Sequence, residues 1–495
     1  MAKYLAALDQ GTTSSRAVIF TEDGQMIASC NREFPQHYPK PGWVEHDPRD
    51  ILDTQITSLR EAVKLSGVDA GDIAAIGITN PRETTFLWDR TTGECVGNAI
   101  VWQCRRTSQI VDDLVSRGFS EMIREKTGLV PDAYFSGTKL KWMLDYYNVR
   151  DRAERGELCF GTADSFLCWN LLENRPHVTD ATNAGRTMMF NLHTQDWDDD
   201  LLALLDVPRA CLPQVTDSSG PIGMLDPAIL GRRIPVTGMA GDQHASLFGQ
   251  ACFHPGDVKN TYGTGCFMLM NTGDTPVQSR NGLLTTMAWR IGGKPVFALE
   301  GSVFMGGATV QWLRDELKII SHAAETEALA QSINSTGGVY LVPAFTGLGA
   351  PWWDMYSRGT LIGMTRGTGR PQIVRAALEA IAFQSADLMD AMAKDCGRKP
   401  ERLQVDGGAS ANAFLMQFQA DISAIPVVRP KVLETTALGA ALLAGLGVGM
   451  YSSLGETAAV WQKDLEFTPK MDEATRLLEL GGWHKAVERS LGFAR

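Results

Sequence analysis

The chain has 495 residues, 44% of them apolar and 21% charged, with 46 basic against 57 acidic side chains and a formal net charge of −11. That length holds two or three domains with a substantial core, and the composition excludes disorder, a collagen-like fibre and a small disulfide scaffold. The acidic balance excludes a domain-wide basic footprint for nucleic acid, so an anionic substrate has to be held by local donors or a metal.

Tyr4 to Leu8 is a short apolar run that predicts a strand. Ser15 to Phe20 and Gln25 to Phe34 predict two more, joined at Asp23-Gly24, a hairpin turn signal. The start from Met1 to Asp9 is too short an apolar run for a secretion signal. Nine cysteines without a Cys-x-x-Cys pair read as reduced thiols in a cytoplasmic protein. Asp47 then offers an N-cap and Pro48 a first helical position, with Ile56, Leu59 and Val63 following at helical spacing. Ile73 to Thr79 and Asn98 to Trp102 predict further strands, an alternation proper to a mixed α/β domain.

In the second half, Gly256 to Tyr262 predicts a strand, Gly263-Thr264-Gly265 a tight turn and Cys266 to Met270 the returning strand. Leu8 to Phe20 has the same plan of strand, small or hydroxyl turn, strand. Leu403 to Asp406 predicts a strand, Gly407-Gly408 a turn and Asn412 to Ala424 a helix. Thr435 to Gly455 carries no charge over 21 residues, the length of a membrane span. Its five glycines and its charged flanks predict instead a buried, closely packed helix and loop, with no integral membrane segment. The pattern is that of two related α/β lobes meeting near residue 250.

Three common site motifs are absent: the only Gly-Lys, Gly293-Lys294, is followed by proline, and there is neither Gly-x-Gly-x-x-Gly nor His-Glu-x-x-His. Asp9-Gln-Gly-Thr-Thr-Ser-Ser-Arg16 closes a buried strand. Its turn N–H groups and hydroxyls can surround phosphate oxygens, with Asp9 holding Mg²⁺ through water and Arg16 adding charge. A plain Asp-Gly turn capped by hydroxyls is the other reading; the second such turn at Gly263–Gly265 favours the phosphate clamp. The Gly407-Gly408 turn lets a ring or phosphate approach the backbone, and Asn412 reads first as a helix cap. Arg82-Glu83 after a strand, Trp102, Tyr134 with Phe135, and Asp242-Gln243 after an apolar run combine hydroxyl-pairing groups with aromatic covers, which suits a small polyol. Trp102 and Tyr134 taken singly read as core residues, and Arg105-Arg106 as a solvated or salt-bridged pair.

Five blocks carry a resemblance: Asp9 to Arg16, Pro39 to Pro48, Arg82 to Thr85, Ala99 to Thr107 and Asn260 to Met270. They resemble the FGGY carbohydrate kinases, in the branch that phosphorylates glycerol. The likeness runs from about Tyr4 to about Ala486. Tyr134 to Asp145 fits one family signature, with Tyr146 at the position where an amide, acid or histidine is usual, and Gly359 to Glu379 fits the other.

The resemblance implies two actin-like (ribonuclease H-like) lobes around an interlobe cleft, residues 1–250 for polyol and phosphates and 251–495 for the nucleotide. It implies ATP and Mg²⁺ as cofactors and conversion of glycerol to sn-glycerol 3-phosphate. Arg82, Glu83, Trp102, Tyr134, Asp242, Gln243 and Phe267 match glycerol contacts, with Asp242 as general base. Asp9 matches the Mg²⁺-positioning residue. Thr12, Thr13, Ser14, Arg16, Thr264, Gly307, Gln311, Gly408, Ala409 and Asn412 match nucleotide contacts. Pro81 and His244 depart from the glutamines expected there. A homodimer or homotetramer is implied. Other members of the branch bind fructose 1,6-bisphosphate through a loop of the type Gly-Gly-Lys-Gly-Gly-Thr-Arg. Ser218 to Arg233, the matching segment, has no glycine run and no histidine, so inhibition by that bisphosphate and histidine phosphorylation are not expected. The rival readings are a kinase of another polyol or sugar, an actin-like ATP switch, and an inactive regulatory homologue.

Overall fold

The computed structural model describes residues 3–494. Met1, Ala2 and Arg495, which the two-lobe division includes, lie outside the described residues.

A thirteen-stranded sheet runs through the molecule. β1 (Tyr4–Gln10), β2 (Ser14–Thr21), β3 (Met26–Glu33), β4 (Ile73–Asn80), β5 (Ser219–Met224) and β6 (Pro235–Gly241) make one half. β7 (Val258–Tyr262), β8 (Cys266–Gly273), β9 (Leu284–Ile291), β10 (Lys294–Val303), β11 (Leu403–Asp406), β12 (Val427–Pro430) and β13 (Lys463–Phe467) make the other. The order is β13-β12-β11-β7-β8-β10-β9-β5-β6-β4-β1-β2-β3. The halves join through β5 and β9 at one register pair, Ser219↔Ile291.

Each half repeats one topology. An antiparallel meander, β1-β2-β3 or β7-β8-β10, is extended beside its first strand by two parallel strands, β4 and β6 or β11 and β12. The shared plan read at Leu8–Phe20 and Gly256–Met270 is thus the opening of a duplicated α/β unit. β1 is buried along nearly its whole length because helices cover both faces, so it reads as an apolar run, whereas the edge strand β3 is mostly exposed and polar. The helix Pro48–Ser66 begins as read, with the Asp47 carboxylate accepting the Arg49 N–H.

One strand is shorter than expected. Only Ala99–Ile100 pairs: toward Asn98 its partner Glu45–His46 runs at once into Asp47 and the helix beginning at Pro48, and toward Trp102 it faces the turn that Trp43 N–H closes on the Lys40 carbonyl, so Trp102 lies beyond the ladder in a turn.

The uncharged stretch forms the helix Thr435–Gly447, mostly buried. No helix among the described residues is long and apolar enough to cross a membrane. This helix follows β12 in the chain yet packs on β4 and β6 of the other half. Gly77 and Gly238 permit that: a Cβ on either would stand 2.0 and 2.8 Å from the Ala440 carbonyl oxygen. It also crosses the helix Asp242–Gly249, where a Cβ on Gly439 would lie 1.7 Å from the Ala245 carbonyl oxygen. The two halves are therefore clamped backbone to backbone beneath the site.

Candidate active site

The parallel register brings the ends of β1, β4 and β6 together: Asp9 pairs with Thr79, and Asn80 with Gly241. The turn after β1, the Pro81-Arg82-Glu83 segment and Asp242 consequently share one sheet edge. In the other half Thr261 pairs with Asp406, which sets the Gly263–Gly265 and Gly407-Gly408 turns side by side. Carboxyl ends of parallel strands are where open α/β sheets bind ligands.

Asp242 is the first residue of the helix Asp242–Gly249, and its Oδ1 accepts the Gln243 N–H at 2.7 Å. Arg82 Nε stands 3.4 Å from the same oxygen; the arginine side chain is 2% exposed and that of Asp242 30%. Asp242 is thus the open carboxylate beside a sealed cation. Burial pushes its carboxyl up from the ordinary value, Arg82 pulls it back and Glu83 adds to the rise. Arg82 Nη2 also donates to the Tyr134 hydroxyl at 3.4 Å, and Tyr134 meets Trp102 edge-on at 5.6 Å between ring centroids. The Trp102 indole N–H donates to the Thr12 hydroxyl at 2.9 Å, tying the aromatic wall to the β1 turn. Trp102 and Tyr134 are both half-buried beside this group, and Tyr134 also packs against the core of the first half. Phe267, half-buried at the start of β8, packs by Gly265.

The two hydroxyl-glycine turns have a common construction. Gly11 N–H bonds to the Ser14 carbonyl at 2.7 Å, and Gly263 N–H to that of Gly265 at 2.9 Å. The hydroxyls of Thr13, Ser14 and Thr264 have no hydrogen-bond partner among the described residues. Gly307 N–H bonds to the Gly263 carbonyl at 2.8 Å, so the helix Gly307–Asp315, carrying Gln311, is stapled to the second turn. Gly407 sits at φ 85° and a Cβ there would meet the Tyr262 carbonyl at 2.6 Å, while a Cβ on Gly408 would meet nothing within 4 Å. Gly408 thus stands beside open space, while the neighbouring Ala409 packs against the core of the second half. Asn412 caps the helix Ala413–Ser423, its Oδ1 accepting Leu415 N–H at 3.0 Å, and its Nδ2 donates to Thr326.

Arg16 reaches Asp9 with Nη2 at 2.5 Å and Nε at 3.1 Å, both on Oδ2. It also pairs with Glu434, the N-cap of the helix Thr435–Gly447. Burial opposes the charge of Arg16, but the two carboxylates outweigh it and hold its pKa above the ordinary value. Asp9 Oδ1 is left without a partner among the described residues. Those residues contain no group of three or more His, Cys, Asp or Glu that could hold a metal. One free carboxylate oxygen beside the two hydroxyl-glycine turns fits Mg²⁺, which keeps waters and substrate oxygens instead of an all-protein cage.

Three buried residues escaped sequence reasoning. Glu300 on β10 accepts Arg82 Nη2 at 2.9 Å and Arg186 Nη2 at 3.2 Å, and Arg186 Nε donates to Glu83 at 2.7 Å. Arg82, Glu300, Arg186 and Glu83 therefore form a ring of two positive and two negative charges almost closed to solvent, with Arg82 Nε left without a hydrogen-bond partner on the side of Asp242. Burial works against ionised Glu300, yet Arg186 and Arg82 hold it well below the usual carboxylate range. Lys259 on β7 is the third, its Nζ 2.6 Å from Gln243 Oε1. A lone charge inside an apolar stretch was the available signal for Glu300; Lys259, in the polar run Lys259-Asn-Thr, and Arg186 offered none. Of the Arg105-Arg106 pair, Arg105 bridges to Asp132 at 2.6 Å. Arg106 is salt-bridged to Glu45 at 2.8 Å and flanked by Trp43 and Trp142. His244 is buried and kept neutral by that burial.

A duplicated α/β fold with a hydroxyl-glycine turn at each half's first hairpin and a carboxylate beside a polyol-sized polar group defines a kinase of the two-lobed, actin-like class. The chain belongs to the FGGY family of carbohydrate kinases: the family's N-terminal domain matches residues 4–249 and its C-terminal domain residues 258–448. It is 59% identical over 494 residues to glycerol kinase 2 of Thermotoga maritima, covering 100% of both chains. It is 58% identical over 492 residues to the glycerol kinase of Symbiobacterium thermophilum, covering 99% of each. The crystal structure of Plasmodium falciparum glycerol kinase with ADP superposes with a TM-score of 0.93 at 36% identity, over 99% of this chain and 98% of that one.

Proposed function

We propose that the chain phosphorylates glycerol with ATP, giving sn-glycerol 3-phosphate and ADP, with Asp242 as general base. The observation that carries this reading is the half-open Asp242 carboxylate, 3.4 Å from the sealed Arg82 guanidinium and on the same sheet edge as the β1 turn. Likeness to glycerol kinases along the full length supports glycerol over other polyols and over an actin-like switch.

Arg82, Glu83 and Gln243 pair with the hydroxyls, while Trp102, Tyr134 and Phe267 cover the carbon chain. One terminal hydroxyl faces Asp242. As its oxygen bonds to the γ-phosphorus, its proton passes to the Asp242 carboxylate and the bond from that phosphorus to the β,γ-bridging oxygen breaks. Thr12, Thr13, Ser14, Arg16 and Thr264 hold the phosphates in line, and Gly307, Gln311, Gly408, Ala409 and Asn412 border the nucleotide. Asp9, its Oδ2 fixed by Arg16 and its Oδ1 free, would help hold Mg²⁺, an ion that would supply neutralisation of phosphate charge. Charge neutralisation and positioning are what phosphoryl transfer chiefly requires.

We further propose lobes of 1–250 and 251–495, the first for polyol and phosphates and the second for nucleotide, a cytoplasmic setting, and a homodimer or homotetramer. Nine unpaired cysteines support the setting; sedimentation of the purified chain decides the assembly. The deciding experiment for function is ATP consumption with and without glycerol, the product being identified. Glycerol-dependent turnover to glycerol 3-phosphate is expected. Glycerol-independent hydrolysis with no phosphorylated product overturns the reading.

A further inference from the structure

We propose that Lys259 is a positioning residue for polyol recognition: its buried ammonium captures the carbonyl oxygen of the Gln243 side chain and so turns the amide N–H₂ toward the cleft beside Asp242. The inference rests on the reading above, which sets Gln243 against the polyol.

Lys259 lies inside β7, fully buried. A lysine there carries the cost of desolvating its charge and needs acceptors. Nζ finds two, Gln243 Oε1 at 2.6 Å and Thr261 Oγ1 at 2.9 Å. An ammonium has only donors, so it fixes which end of the amide it meets. The oxygen is taken and Nε2 points elsewhere, with no acceptor among the described residues. Gln243 directly follows Asp242 at the start of its helix, and the Lys259 ammonium that holds its oxygen lies within electrostatic reach of the Asp242 carboxylate. A polyol hydroxyl arriving there meets an acceptor in Asp242 and a donor in Gln243. Without Lys259 the amide is free to flip and present a second acceptor, which a hydroxyl already giving its proton to Asp242 cannot satisfy.

The bond also crosses the two halves, since Gln243 belongs to the first and Lys259 to the second. From Thr261 the chain of polar contacts continues to Ser246 at 3.3 Å, and Ser246 donates to Asp406 at 3.0 Å, next to the Gly407-Gly408 turn. Burial lowers the Lys259 pKa to about 8, against the pull of Asp406 and Asp242, so the ammonium persists at neutral pH.

The test compares Lys259→Met, Gln243→Leu and the double variant, using glycerol and propane-1,2-diol as substrates. Lys259→Met is expected to raise the glycerol KM by about tenfold or more, the scale of a lost charge-assisted contact, with the ATP KM within about twofold. The double variant is expected to match Gln243→Leu alone, and the preference for glycerol over the diol to fall in both single variants. An unchanged glycerol KM in folded Lys259→Met, or effects that multiply in the double variant, overturns the proposal. Should Lys259→Met not fold, Gln243→Glu answers the question. It keeps an acceptor for Lys259 but loses the donor, so its melting temperature should hold while its glycerol KM rises; a wild-type glycerol KM overturns the donor role. Wild-type protein without glycerol turnover would defeat the proposed function instead, and the melting temperatures of the double-mutant cycle would still report the Lys259–Gln243 pairing.

Discussion

Arg186 Nε lies 2.7 Å from Glu83 Oε1, and neither side chain is open to water. Arg186 lies over the Tyr134 and Phe135 rings and holds two carboxylates that would otherwise be buried without enough positive charge. Removing one partner of such a pair costs more than the pair contributes, because an uncompensated charge stays behind. Arg186→Met is therefore expected to destabilise the protein by roughly 3–5 kcal/mol. Urea unfolding measures it; a loss below about 1 kcal/mol would mean that water already compensates the ring, as at exposed pairs.

Asp242→Asn should lower kcat by at least ~10²-fold, the usual scale of general-base catalysis. The amide can still hydrogen-bond a hydroxyl but cannot take its proton, so the glycerol KM should move far less. Single-turnover kinetics separate chemistry from product release. Turnover near that of the unaltered enzyme would remove Asp242 from the base role.

The pH profile tests the same residue from its surroundings. A base must be ionised, so kcat/KM for glycerol falls as pH drops through the Asp242 pKa, which burial raises above the ordinary carboxylate value. Glu83 adds to that rise through its negative charge. Glu83→Gln removes the charge and so lowers the pKa, and the acid limb should shift to lower pH even though activity drops. A limb that stays in place or moves upward would show that another group controls it.

How far this site was legible depended on range. β1 and β4 are apolar runs, β2 and β7 adjoin small or hydroxyl turns, and Asp47-Pro48 announces its helix locally, so each was readable from a few residues. Arg82-Glu83 stood out as charges directly after a buried strand. What closes their ring did not, since Arg186 and Glu300 lie 103 and 218 residues from their partners Glu83 and Arg82. Spacing along a chain carries no distance at that range. Trp102 and Tyr134 read singly as core residues because an aromatic beside a polar group has the same composition as one in a core. Their Thr12 and Arg82 contacts distinguish them, and those are tertiary.

The crossing of the two central helices makes opposing effects easy to rank. Gly→Ala inside a helix is ordinarily favourable by about 1 kcal/mol. At Gly439 the added carbon would sit 1.7 Å from the Ala245 carbonyl oxygen, which neither backbone can relieve without moving apart. Gly439→Ala should thus be net destabilising, by roughly 1–3 kcal/mol as for other overpacked contacts. Thermal melts decide the sign, and a raised melting temperature would show that the helices separate freely.

The segment Ser218 to Arg233 bears on control by sugar bisphosphates. An anion site needs several free N–H groups and a backbone that can form a nest. Here Ser219–Met224 is a sheet strand, and the Ala228 N–H is taken by the Asp226 carboxylate at 2.8 Å. Ile229 N–H bonds back to Asp226 and Gly231 N–H to Pro227, so the turn is already closed and carries a negative cap. Arg232 and Arg233 are exposed, and Arg233 is paired with Glu173. Two exposed arginines beside that cap attract an anion only weakly, since surface pairs are worth about 0–1 kcal/mol. Fructose 1,6-bisphosphate at physiological concentration is therefore expected to leave glycerol turnover within about twofold of the uninhibited rate, and Arg232→Ala with Arg233→Ala to change nothing further. A titration reads both. Strong inhibition that disappears with the two arginines would assign the effector to this segment despite its closed turn.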